Sequence, residues 1–276
     1  MGLNLTLGYA GQVSLGQAAF LGIGAYTVAL LGRAGVGFWL AAPTAALLCF
    51  ATGVGLGFPA LRVRQHYLAF VTLGFNVLVF LVMRNEQWLT GGNYGISGIR
   101  RPALLGWSTT RPVAYYYLCL GALAVVSGAV GLLLRSPWGR AFAALRENPD
   151  RAESLGVDTR AYTLLGFAIG AACAGVAGAF DRPLVEYIDP IPFGLGTSLA
   201  LLLMVVVGGT GRFLGPFLGA ALVTLLAEWL RVAEGAYLLI YAVFVIVLMG
   251  ACPSGLLGLI ARLRAWAEAR LLASAS

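Results

Sequence analysis

Long apolar stretches recur along the chain, cut by short polar or glycine-rich joints. A helix needs about 20 apolar residues to cross a hydrocarbon core. On that rule the pattern predicts membrane segments over roughly 14–32, 38–58, 67–83, 114–134, 161–180, 196–208, 213–230 and 237–252. The expected fold class is all-α: a polytopic transmembrane helical bundle of about eight membrane segments, with one or two broken or re-entrant helices. The break is expected where VVVGGTGRFLGP (205–216) interrupts the sixth segment. Irregular backbone at membrane depth persists only where protein or a water-filled cavity covers it. Residues 1–259 then form one transmembrane domain with a water-facing loop at 135–160. Residues 260–276, which alternate charge and apolar positions, form an amphipathic tail on the membrane surface.

Composition strengthens this picture. The 276 residues are 60% hydrophobic and 11% charged, where a soluble domain carries about 25% charged residues. The 38 glycines suit helices that approach closely through small residues. Every basic residue is arginine, and the net charge of +7 reads first as a topology signal. No water-facing basic surface interleaved with aromatics is visible, so nucleic acid is not an expected partner and the lipid bilayer is. The four cysteines stand singly in apolar runs, without metal-ligand spacing. The single histidine, His66, lies at a helix end. No cofactor is expected, and with neither H-E-x-x-H nor G-x-S-x-G present, enzymatic chemistry has little to stand on. The opening MGLNLTLGYAG lacks the basic start of a cleavable signal, and its match to a myristoylation pattern is read as chance.

One stretch departs from the apolar pattern. Residues 135–160 gather Arg135, Arg140, Arg146, Arg151 and Arg160 with Glu147, Asp150, Glu153 and Asp158. The positive-inside rule places this loop in the cytoplasm, together with Arg62 and Arg64 and the C-terminal Arg262, Arg264 and Arg270. The acidic 181–192 loop falls opposite, whereas 84–113, with Arg84, Arg100, Arg101 and Arg111, resists the scheme. The spacing predicts two short helices: WGRAFAALREN, stopped at Pro149, then DRAESLG, with Asp150 as N-cap, Glu153 three residues on and Gly156 as C-cap. Such a pair offers a surface for insertion into a groove of a cytoplasmic protein, although charge alone fits a solvated loop at least as well.

Polar residues inside spans are functional candidates. They are Ser14, Gln17, Thr72, Asn76, Thr197 and Ser198, with Glu228 near a span end, and Gln17 and Asn76 stand out because Ser and Thr usually bond back to their own helix. Gly208, Gly209, Thr210 and Gly211 join them as the break that could line a path. No mid-span array of acids and bases is present, which argues against a carrier driven by titrating residues.

The residues also carry a resemblance. RAFAALRENPDRAESLG (140–156) resembles the cytoplasmic coupling loop of ABC-importer permeases, in particular the branched-chain amino acid (LivM-type) family, through Arg140, Ala141, Ala144, Arg146, Glu147, Asn148, Ala152, Glu153 and Gly156. Ser154 and Pro149 to Arg151 depart from its commoner wording. NLTLGYAGQVSLGQAAFLGIGAY, TGGNYGISGI, FGLGTSLALLLMVVVGGTGRFLGPFLGA and CPSGLLGL resemble further stretches of the family, so nearly the whole chain is covered. Gln17 stands where the family commonly has histidine, and Asn76 where it often has an acid. The family also carries apolar residues ahead of NLTLGYAG, almost at which this chain opens.

The resemblance implies a permease subunit in the bacterial inner membrane with a cytoplasmic C-terminus. It would translocate branched-chain or related hydrophobic amino acids by alternating access. Its partners would be cytoplasmic ABC ATPase subunits, a second permease subunit and an extracytoplasmic substrate-binding protein. The implied ATPase contact comprises Arg140, Ala144, Leu145, Arg146, Glu147, Asn148, Glu153, Leu155 and Gly156, with Leu145 and Leu155 as apolar anchors. Ser14, Gln17, Asn76, Ser198, Gly208, Gly209, Thr210 and Gly211 would line the path. No P-loop occurs here, so ATP hydrolysis falls to a partner chain. Two alternatives stay open: the same machinery carrying urea or short amides, and a stand-alone secondary carrier or channel.

Overall fold

The computed structural model describes residues 1–60, 65–99, 102–104, 107–108, 112–181, 183, 186–230, 255 and 257–258. The expected eighth segment, the amphipathic tail and the arginines at 62, 64, 100, 101 and 111 lie outside the described residues. The chain divides into two compact units, Met1–Leu199 and Ala200–Ser276.

The first unit opens with a helical segment, Gly2–Asn4 continuing as a π-turn over Leu5–Tyr9, then an irregular stretch to Gly16. Helices follow at α1 (Gln17–Arg33), α2 (Phe38–Ala60), α3 (Gln65–Asn85), α4 (Pro112–Arg135), α5 (Pro137–Glu147), α6 (Pro149–Ser154) and α7 (Thr159–Asp181). The helix α8 (Leu195–Gly208) runs from the first unit into the second, which also holds α9 (Gly215–Leu230). The expected all-α bundle is therefore what the chain forms. Among the described residues four helices have the length and apolar composition to cross a membrane: α2, Leu68–Asn85 within α3, α4 and α7. The first, sixth and seventh predicted segments correspond to the shorter helices α1, α8 and α9. Gly16 caps the start of α1, and the Gly208-Gly209 pair ends α8.

Two-residue strands punctuate the loops. The strand β1 (Ile96–Ser97) pairs antiparallel with β4 (Tyr187–Ile188), and β2 (Ala103–Leu104) with β3 (Trp107–Ser108). The first pair ties the loop after α3 to the loop after α7, and Tyr187 reinforces it by donating its hydroxyl to the Tyr94 carbonyl at 3.1 Å.

The core is built where α1 and α2 lie on α7, and glycine sets that approach. A Cβ on Gly24 would run into the Gly175 backbone, and one on Gly178 into the Leu21 carbonyl. On α2, Gly53 faces Ala168 and Ala171, and Gly57 faces Leu164 and Phe167. Small residues let helices pack backbone to backbone where no water is present to drive association. Around that contact Phe20, Cys49, Phe167, Ala171 and Ala174 form one buried cluster, with Phe20 edge-on to Phe167 at 5.8 Å between ring centroids. The Gly166/Gly170 pair is a packing feature too: Gly166 receives Phe142 and Ala10, and Gly170 receives Gly2 and Thr6.

In the second unit the glycine break is also packed backbone to backbone. Gly208 lies against Gly215 and Gly219, and Gly255 sits over Gly209. The turn itself needs left-handed backbone, with φ of 113° at Gly209 and 72° at Gly211.

Candidate coupling element and buried polar seam

The charged stretch 135–160 folds as two short helices hung between the spans α4 and α7. Each begins with the same device, a capping side chain followed by proline at the first helical position, where the missing N–H costs nothing. Ser136 accepts from the Trp138 N–H at 3.2 Å, and Asn148 accepts from the Arg151 N–H at 3.0 Å. Asn148, not Asp150, is thus the N-cap of α6. The residue before a proline is steered to extended backbone, and Asn148 has φ −161° and ψ 105°. At the other end Gly156, at φ +83°, closes α6: its N–H reaches the Glu153 carbonyl and the Val157 N–H reaches Ala152. Asn148→Ala should cost about 1 kcal/mol, as lost caps do. Thermal unfolding and amide exchange confined to 149–155 would register it.

The pair is amphipathic with respect to the protein. Gly139, Phe142, Leu145 and Ala152 are buried, whereas Arg140, Arg146, Glu147, Glu153, Leu155 and Gly156 are exposed and Ala144 and Asn148 are half-buried. Leu145, expected beside Leu155 as an outward anchor, instead packs inward with Leu5, Ala10 and Phe142. Leu155 is 82% exposed, an unusual position for a large apolar side chain in a polar loop. The inner face fixes α5 to the spans: Phe142 meets Gly166 of α7, and Gly139 stands so close to Leu134 of α4 that a Cβ would strike its carbonyl. Burial raises the Tyr9 phenol above its ordinary pKa, and the Arg146 charge draws it back down.

A second feature lies inside the first unit. Apart from Thr90 and Ser127, the buried polar side chains among the described residues are Asn4, Thr6, Gln12, Ser14, Gln17, Thr72, Asn76 and Ser198. They gather on the first 17 residues and the helices that receive them. The Leu15 N–H donates to Thr72 Oγ1 of α3 at 3.0 Å, and the Ala18 N–H donates to Ser198 Oγ of α8 at 2.9 Å. Gln17 Nε2 donates to the Gly170 carbonyl of α7 at 3.0 Å, and Ser14 Oγ accepts from the Gly16 N–H at 3.4 Å. The start of α1, with its otherwise orphan backbone donors, is thereby held by three other helices. Gly170 is interior to α7 and its carbonyl keeps its helical partner, so Gln17→Leu removes one additional hydrogen bond and a loss of about 0.5–1.5 kcal/mol in thermal stability is expected.

Ser14, Gln17, Asn76 and Ser198, proposed from sequence as path residues, thus come together in one unit. Gly208, Gly209, Thr210 and Gly211 belong to the other. The outlier in the seam is Asn76, fully buried, whose Oδ1 and Nδ2 find no hydrogen-bond partner among the described residues. Gln12, which sequence reasoning passed over, shares that condition. Its signal was period-two alternation: Gln12, Ser14 and Gly16 point inward, while Gly11 and Val13 are exposed.

Membrane-length helices, an amphipathic element slung between two of them and a neutral polar seam define a multi-pass membrane protein with a cap-fixed surface handle. Residues 1–248 match the family described as branched-chain amino acid transport system / permease component, and the chain belongs to that family. It is 37% identical, over 93% of its length, to the high-affinity branched-chain amino acid transport system permease protein LivM of Escherichia coli, and equally to that of Salmonella typhimurium. It is 28% identical, over 77% of its length, to the autoinducer 2 import system permease protein LsrC of Yersinia enterocolitica. The chain spans 66% of the two LivM proteins and 59% of the LsrC protein. No solved structure matches it.

Proposed function

We propose that the chain is the membrane-spanning permease subunit of an ABC importer in the bacterial inner membrane, carrying branched-chain or related hydrophobic amino acids. Cytoplasmic ABC ATPase subunits drive it, a second permease subunit completes the path, and an extracytoplasmic binding protein delivers cargo. The transmembrane domain covers 1–259 and the tail 260–276, with the C-terminus and the 135–160 loop in the cytoplasm.

The observation that carries the reading is the α5–α6 element. It exposes Arg140, Arg146, Glu147 and Glu153 together with Leu155, so the same element offers charges and one large apolar side chain to a partner. Its inner face is packed on α4, on α7 and on the N-terminal segment. A force applied to the outside therefore reaches two spans and, through that segment, the start of α1. Alternating access needs such a transmission, because rigid bodies must rock around the substrate path.

The test is co-purification with the ATPase encoded beside it. The wild-type chain should bring the ATPase down, and Arg146→Glu combined with Glu147→Arg should not. Both chains purifying alone would leave the element a solvated loop and favour a stand-alone carrier.

A further inference from the structure

We propose that Asn76 is a specificity-determining residue that binds the polar head of the substrate during passage, an inference that rests on the importer reading above. The side chain is 0% exposed, and both polar atoms of its amide lack a partner among the described residues. A buried amide without hydrogen bonds costs about 1–3 kcal/mol. A leucine of similar size would avoid that cost, so the asparagine lowers stability at its own position. Polar groups kept in such a place mark function more often than architecture.

Its surroundings specify what it could hold. On α3 the residues Leu68, Thr72, Asn76, Val79 and Met83 form the buried face. Along that face Thr72 meets Gly16 and Met83 meets Gly22, so Asn76 stands between them against the first turns of α1. There the neighbouring donors are already used: Leu15 N–H on Thr72, Ala18 N–H on Ser198, Ala19 and Phe20 N–H on the Gly16 carbonyl. Asn76 is left as the open polar group, with one acceptor and two donor hydrogens on a neutral frame. The preceding residue of α3, Phe75, packs on Phe20 of α1 with ring centroids 5.2 Å apart, which holds the two helices together next to this position. A neutral donor–acceptor group on a frame of apolar side chains suits a small zwitterion with an apolar side chain: Oδ1 accepts from the ammonium and Nδ2 donates to the carboxylate. It offers little to a ligand of single charge, since nothing there neutralises one.

The experiment uses the assembled importer in proteoliposomes, with radiolabelled leucine as probe and ATP hydrolysis measured in the same samples. Asn76→Leu should fold with a thermal midpoint at or above wild type and still co-purify with the ATPase. Leucine carried per ATP hydrolysed should fall at least tenfold. Asn76→Asp guards against misfolding of the first variant. It keeps an acceptor but loses the donor, so uptake per ATP should fall again, and leucinamide, a cation without the carboxylate, should become the stronger competitor. Wild-type leucine uptake per ATP in both variants would overturn the proposal and make Asn76 a packing residue. If the wild-type importer moves no leucine at all, the cargo reading fails and takes this inference with it.

Discussion

Replacing Gly178 by valine is expected to give a chain that inserts but does not assemble its core. A Cβ on Gly178 would collide with the Leu21 carbonyl and stand 2.9 Å from the Ala25 nitrogen, both of them backbone atoms of α1 that no rotamer change can move. One turn away Gly175 meets Gly24 and the Cys49 side chain, so α7 has no room to slide. The added methyl groups must push α1 off α7, and with it the seam that α1 carries. Overpacking costs about 1–3 kcal/mol where side chains can yield and more where backbone must, so this position lies at or beyond the upper end. The measurement is the yield of monodisperse protein and its thermal midpoint in detergent, beside Gly128→Val as a control. Gly128 lies on α4, where an added Cβ meets nothing within 4 Å. The control should behave as wild type.

Phe142→Ala carries the second large effect, read out as lost coupling as well as lost stability. Phe142 is fully buried, wedged between Gly166 of α7 and the N-terminal residues Leu5 and Ala10, with Tyr162 edge-on at 6.1 Å. Truncating a buried phenylalanine costs about 3–5 kcal/mol from lost contacts and the cavity left behind. Here the cavity opens between α5 and the spans, while the outer face of α5–α6 keeps its charges and Leu155. The expected result is an ATPase that still binds and hydrolyses ATP, with leucine uptake per ATP reduced at least tenfold. A variant that transports normally would show that α5 passes its motion on by another route, through Gly139 and α4.

Much of this was legible in the chain. Segments 38–58, 67–83, 114–134 and 161–180 are long and apolar, and length alone decides a membrane helix. What the pattern hid was which face of each helix is buried. Along α2 and α4 nearly every position is apolar, so burial leaves no polar side to mark the outside, and the contacts are written in glycines such as Gly53 and Gly57. The segment Gly2–Tyr9 was missed because eight residues carry too little periodicity to announce a helix. In the charged stretch the spacing puts the stop at Gly156, where α6 closes. The spacing puts its start two residues late, on Asp150, because an Asn-Pro pair such as Asn148-Pro149 reads as the end of one helix and here is also the cap of the next. Among polar residues, sequence singled out Gln17 and Asn76 together. Only the fold separates them: Gln17 spends its amide on Gly170, and Asn76 keeps its own unspent.

The measurement that bears most directly on the account is leucine uptake by proteoliposomes holding this chain with its partner permease and binding protein, with and without the ATPase. Uptake that requires both the ATPase and ATP, and that Arg146→Glu with Glu147→Arg abolishes, is the predicted result. Uptake by the membrane chains alone, indifferent to ATP and to the charge reversal, would contradict it and make this a carrier or channel in its own right.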